Sequence, residues 1–130
     1  MNLVSLPITA IYAALSAFLV IALAANVVRF RLGKQVSLGD GGHKDVNRAI
    51  RAHGNTVEYV PLALILMALL ELNGASDGAL HFYGITLVAG RALYGYGMLF
   101  PKPSANRPRQ LGVLSSWIVI LAAGVQLLII

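Results

Sequence analysis

Four apolar runs, Leu6 to Val28, Ala52 to Leu72, Leu80 to Phe100 and Leu111 to Ile130, are separated along the chain by three polar connections. Each run is close to the ~20 residues that a helix needs to cross a hydrocarbon core about 30 Å thick. The pattern predicts an all-α integral membrane protein, a four-helix transmembrane bundle with helices over about 6–28, 48–72, 80–100 and 110–130. Residues 1–130 then form one domain, with no room for a separate soluble one. The segment "NGAS" offers a stop for the second helix, because Asn and Gly suit the left-handed conformation that closes helices. The prolines of "FPKPSANRPR" end the third by removing backbone donors and restricting the residue before each. The first connection, "FRLGKQVSLGDGGHKDVN", is the long one, rich in turn formers at its centre. The first run has no basic residues ahead of it and ends in "NVVRFRLGK" rather than a cleavage site, so it is read as a mature helix and not a signal peptide.

Composition strengthens this picture. Of the 130 residues 58% are hydrophobic and 12% charged, against roughly 25% charged in soluble domains; the mean hydropathy is +0.76. The absence of cysteine removes disulfides, a thiol nucleophile and thiolate metal ligands. The net charge of +5 is unevenly placed. Arg29, Arg31, Lys34, Lys44, Arg48 and Arg51 lie in or beside the first connection, and Lys102, Arg107 and Arg109 in the third. The second, "ELNGASDGALH", carries acids without Lys or Arg. The positive-inside rule therefore predicts cytoplasmic first and third connections and both termini on the non-cytoplasmic side. Basic residues that flank spanning helices, without an aromatic platform, point away from nucleic acid as a partner.

The polar stretch "NRAIRAHGNTVEYVP" opens the second helix. At about 100° per residue, Arg48, Arg51, Asn55 and Glu58 fall within an arc of about 80°, with Tyr59 near its edge and His53 pointing away. An arginine at a helix end can snorkel to the interface, and Arg51 and Glu58 can neutralise one another. Yet Glu58 lies about two turns inside the apolar run, where a charge costs at least ~2.5–3.5 kcal/mol. On the third helix Arg91 and Tyr94 share a face, and Tyr96 projects elsewhere. Arg91, near mid-span, requires an anion or a carbonyl, and Glu58 of this or a neighbouring chain is the expected partner. A structural salt bridge is the competing account. Taken together, the guanidiniums, Asn55, Glu58 and Tyr94 suit a small zwitterionic polycarboxylate, since arginine forks bind carboxylates in bidentate fashion. No metal site is expected: His43, His53 and His81 lie on separate elements without an HExxH pattern.

The wording of "RAIRAHGNTVEYVPLAL" resembles the MAPEG family, membrane-associated proteins of eicosanoid and glutathione metabolism. Their second helix carries R-A-H/Q-x-N-x-x-E, often followed by Y-x-P. Arg51, Ala52, Asn55, Glu58, Tyr59 and Pro61 fit that motif, with His53 in the variable place, and "GRALYGYG" matches the family's Arg-x-x-His/Tyr-x-x-x-Tyr helix. The resemblance extends to the layout of the whole chain and implies a homotrimer with glutathione, as co-substrate, held between subunits near the cytoplasmic side. It implies that Arg48, Arg51, Asn55, Glu58, Tyr59, Arg91 and Tyr94 bind glutathione, with Arg107 as a further contact. It also makes Arg31 or Arg107 the catalytic cation that stabilises the thiolate. One departure is Met98, where several members have a second tyrosine; Tyr96 lies about 160° away from that position on the helix.

The wording is similar to the bacterial branch, which implies a bacterial inner membrane. Two functional classes follow. One is a glutathione transferase or peroxidase of lipophilic small molecules that approach through membrane lipid, a chemistry needing no protein cysteine. The other is a noncatalytic membrane protein that binds a lipid or thiol. A transporter fits less well, since no inverted repeat is visible.

Overall fold

The computed structural model describes residues 4–101 and 106–130. Its elements are four α-helices: α1 (Pro7–Lys34), α2 (Lys44–Leu72), α3 (Asp77–Leu99) and α4 (Arg107–Ile129). Lys102 and Pro103, which enter the charge and helix-stop readings of the third connection, lie outside the described residues. Pro7 opens α1, where its missing N–H would have no helical partner anyway. The helix runs on to Lys34 instead of stopping near Val28, because Arg31 and Lys34 in its last turn suit the negative end of the helix dipole. It stops where Gln35 turns left-handed at φ 56°. Its 28 residues span about 42 Å at 1.5 Å per residue, more than a hydrocarbon core of about 30 Å.

The second helix begins at Lys44, earlier than its apolar run, with Asp45 in the first turn where a negative charge is favourable. It gives way at Asn73, and Gly74 follows at φ 81°. Ser76 then caps α3 by accepting a hydrogen bond from the Ala79 N–H, and Asn106 caps α4 by accepting from the Arg109 N–H. By length and composition α1, α2 and α4 can each cross a membrane. At 23 residues α3 matches α4 in length, but its glycines, tyrosines and interior Arg91 make it less apolar.

Helices α2 and α3 form the middle of the bundle: α1 packs on both, α4 packs on both, and α1 and α4 do not meet among the described residues. The α3–α4 seam is the tightest. A Cβ on Gly112 would lie 2.5 Å from the Gly90 carbonyl oxygen and 2.7 Å from the Tyr94 nitrogen. One on Gly97 would lie 2.6 Å from the Arg109 nitrogen. In lipid, where apolar burial between helices gains little, such close backbone approach is a main source of association.

Two apolar clusters result. The larger includes Tyr12, Val60, Met67, Leu80, Leu87 and Val119; the smaller holds Leu23, Ala52, Tyr94 and Met98.

Polar ties close the end of the bundle away from the basic connections. Glu71 accepts hydrogen bonds from the N–H groups of Ile8 (3.0 Å) and Thr9 (2.8 Å), supplying the cap that Leu6 has no side-chain oxygen to give. Tyr12 Oη and His81 Nδ1 share a hydrogen bond at 2.7 Å, and Tyr83 donates to Gln126 at 2.7 Å. Glu71→Ala is therefore expected to destabilise the bundle by about 1–2 kcal/mol, the usual cost of a lost cap. Thermal unfolding in detergent measures this, and an unchanged midpoint would show that the α1 N-terminus is satisfied without Glu71.

Candidate functional site

Arg91 sits between the two apolar clusters, one turn from Leu87 and one from Tyr94 along α3. It is 1% exposed, among the largest fully buried side chains. Nη1 donates to Asn55 Oδ1 at 2.6 Å and Nη2 to the Gly112 carbonyl at 3.2 Å. The guanidinium also lies 4.7 Å from the Tyr94 ring centroid and 5.7 Å from that of Tyr59, both cation–π distances. Nε has no partner among the described residues. A buried cation held by neutral acceptors and aromatic faces retains its full charge deficit, so the site favours anions.

The expected Arg91–Glu58 pair does not form in the chain. Glu58 instead accepts from Arg51 at 3.2 Å, and the side chains of this pair are 48% and 54% exposed. Helix geometry accounts for the exchange of partners. At about 100° per residue, Glu58 and Arg51 occupy the outer margin of the polar arc, while Asn55 and Tyr59 lie about 40° and 80° closer to the buried Ala52 and Ala63. Asn55 and Tyr59 therefore reach inward to α3, and Arg51 and Glu58 reach outward to each other. Tyr94 ties the two layers loosely: its hydroxyl donates to the Arg51 carbonyl at 3.5 Å, the limit of a useful hydrogen bond.

Asn55, Tyr59, Arg91 and Tyr94 are thus brought together, with Arg51 and Glu58 beside them. Arg48 is half-buried on the same helix, but no hydrogen bond or ion pair joins it to this group among the described residues. Arg31 donates to the Gly39 carbonyl at 2.6 Å, away from Arg91. Arg107 is exposed in the first turn of α4 and lines a cleft with Gln110, Leu111 and Leu114. Met98 is buried against Leu23, Ala52 and Tyr94. Tyr96 is exposed on another face beside Phe100.

Two features escaped the sequence reading. The first is Gly112, whose carbonyl also accepts from Ser116 at 3.3 Å and whose missing side chain lets α4 reach Arg91. The second is the outer side of α4. A cleft of about 350 Å³ is lined by Glu58, Tyr59, Leu62, Trp117, Ile120 and Leu121, and one of about 560 Å³ by Asn106, Arg109, Gln110 and Trp117 among others. Trp117 lines both, with Glu58 in the wall of the first and Arg109 in the wall of the second. The string "NRPR" carried a signal for this placement, since Asn before an early proline marks a helix start and puts Arg109 inside α4.

A family model described as the MAPEG family matches residues 9–129. The chain is 42% identical over 114 residues to the inner membrane protein YecN of Escherichia coli strain K12, covering 88% of this chain and 85% of that one. The protein of the same description from Escherichia coli O6:H1 strain CFT073 matches to the same extent. No solved structure matches.

Proposed function

Because this chain belongs to the MAPEG family, we propose that it is a membrane-bound glutathione-dependent transferase or peroxidase of lipophilic electrophiles, working as a homotrimer with glutathione held between subunits. The observation that carries this reading is the outward-facing Arg51–Glu58 pair on the same helix as Asn55, which holds the buried Arg91. A half-exposed carboxylate about two turns inside an apolar run, as Glu58 is, is costly against lipid. A neighbouring subunit laid over α2 removes that cost and closes a polar pocket.

The residues present fit glutathione, a molecule with two carboxylates, one ammonium and a thiol. When bound, it supplies the nucleophilic sulfur. Arg51, with Arg48 nearer the helix start, binds carboxylate; Glu58 accepts the ammonium. Their mutual ion pair, at 3.2 Å, is exchanged for these contacts, so each charge keeps an opposite partner. Arg91 presents a buried positive charge whose Nε is orphaned among the described residues, and Asn55 fixes its orientation. The Tyr94 hydroxyl, only weakly held by the Arg51 carbonyl, is available to donate to the sulfur. Arg107, or Arg109 in the wall of the neighbouring cleft, lowers the energy of the thiolate by charge. The cleft beside Trp117, walled by Tyr59, Leu62, Ile120 and Leu121, receives the lipophilic partner. The positive-inside rule places the basic end in the cytoplasm and both termini opposite, and the relative's name supports a bacterial inner membrane.

A noncatalytic ligand-binding role is the second reading, favoured by one observation: buried, apolar Met98 beside Tyr94 removes a hydroxyl from the pocket. Turnover of a generic lipophilic electrophile separates the two, because only the enzyme consumes it.

Calorimetry of glutathione binding to the detergent-solubilised protein tests the site itself. Arg51→Ala and Glu58→Gln are each expected to weaken binding about tenfold or more, on the ~1.5–3 kcal/mol scale of charged hydrogen bonds, with the oligomer mass unchanged. Wild-type affinity in either variant removes that residue from the pocket. No binding by the wild-type protein at millimolar glutathione overturns the thiol reading.

A further inference from the structure

A second structured feature lies where α1 meets the first connection. The connection is folded rather than loose. Val36 N–H donates to the Arg31 carbonyl at 2.9 Å, and a Cβ on Gly41 would press on Val36 at 2.7 Å. Asp40 accepts from the Gly42 N–H at 2.9 Å and from Asn47 at 3.1 Å. The Gly42 N–H holds the Asp40 carboxyl below its ordinary range, so it remains an anion.

The fold leaves a cleft of about 420 Å³ whose walls include Val28, Leu32 and Val36, with Arg31 at its edge. Leu32 is 75% and Leu38 88% exposed.

Charge around this cleft is not balanced. In and beside the first connection Arg29, Arg31, Lys34, Lys44 and Arg48 outnumber two carboxylates, Asp40 and Asp45, and of these cations Arg31 lines the cleft. Asp45 is paired only loosely with Lys34, at 3.7 Å and with the Lys34 side chain 43% exposed, so the ammonium keeps donors for a second anion; Asp40 is taken up by the loop itself. Arg29 and Arg31 donate to neutral oxygens, of Asn26 and Gly39. Depth is set by α1: if its start lies at one edge of the core, its last ~12 Å extend beyond the other edge into the headgroup layer. An apolar cleft, exposed leucines and surplus cations therefore meet at the level where phosphates and the first acyl carbons lie.

We propose that this cleft binds an anionic phospholipid of the bilayer, the acyl chain along Val28, Leu32 and Val36 and the phosphate on Arg31 with help from Lys34. Leu38 inserts beside it at the interface. The apolar walls distinguish this ligand from a soluble phosphate, for which the leucines would be a liability. Its lining shares no residue with the Arg91 group, and it gives Arg31 to lipid in place of the thiolate-stabilising role that the resemblance implies for Arg31 or Arg107.

The test is lipid selectivity. The protein is reconstituted in phosphatidylcholine vesicles with trace spin-labelled phosphatidylglycerol or phosphatidylcholine, and the motionally restricted fraction of each is read by electron paramagnetic resonance. Phosphatidylglycerol is expected to be preferred about fivefold, the equivalent of about 1 kcal/mol and the usual worth of one basic residue near an anionic surface. In the Arg31→Gln, Lys34→Gln double variant the preference falls to about one, while millimolar glycerol phosphate leaves the wild-type preference intact. Because the chain lacks cysteine, a polarity-sensitive dye on Leu38→Cys gives an independent reading, a blue-shifted emission in vesicles. No wild-type preference, an equal preference in the double variant, displacement by glycerol phosphate, or emission typical of water overturns the proposal.

Discussion

Arg91→Met is expected to reduce glutathione affinity by at least about 100-fold, while the unfolding midpoint stays within a few degrees of wild type or rises. The two effects separate because they have different origins. Binding loses a buried cation, and truncating one partner of a desolvated charge contact costs about 2–5 kcal/mol. Stability has opposing contributions. Asn55 Oδ1 loses its donor at 2.6 Å, at a cost of about 1–3 kcal/mol. In return, the protein no longer buries a guanidinium for which no carboxylate lies in ion-pair distance among the described residues, and that desolvation amounts to several kcal/mol. The Gly112 carbonyl keeps its hydrogen bond from Ser116. Calorimetry and thermal unfolding on the same sample decide the matter. A large fall in the midpoint with unchanged affinity per folded molecule would make Arg91 a structural strut and would remove it from the pocket.

The second large effect concerns a residue with no side chain. Gly112→Ala places a methyl group 2.5 Å from both the Gly90 carbonyl oxygen and Tyr94 Cβ. Backbone cannot rotate away as a side chain can, so α4 must shift from α3. Overpacking of a close-fitting core usually costs about 1–3 kcal/mol, and this seam is at the upper end or beyond, because three backbone or Cβ atoms are met at once. The displacement also carries the Gly112 carbonyl away from Arg91 Nη2. A lower midpoint and weaker glutathione binding are therefore expected together. Gly124→Ala is the control: nothing lies within 4 Å of its added methyl, and replacing glycine in a helix interior gains up to about 1 kcal/mol. Equal midpoints for Gly112→Ala and Gly124→Ala would show that the seam yields without cost.

These two predictions differ in how far the sequence alone leads to them. Arg91 stands out in an apolar run at a glance, and so does the arc of Arg51, Asn55 and Glu58. Hydropathy over about 20 residues and the 3.6-residue period are local properties. They suffice to locate the spans, to assign residues to one face of a helix, and to expose the motif by which the family is identified. They do not say which of several polar groups on facing helices will meet. Glu58, the chemically obvious partner of Arg91, lies on the outer margin of its helix, and Asn55 and a backbone carbonyl of α4 take its place. That choice depends on the rotation of α2 about its axis and on how closely α4 approaches α3. Both are set by contacts between helices, and the approach of α4 to α3 chiefly by those at Gly90, Gly97 and Gly112.

The same holds for Glu71, which caps α1 from the far end of α2, and for Trp117, which lines two clefts along α4. Even the length of α1 is a tertiary outcome in part, since its final turns are held by the fold of the connection, through Val36 on Arg31 and Asp45 on Lys34. Periodicity along one helix specifies a face. Only the approach of a second helix, limited by the smallest side chains at the seam, determines what that face touches.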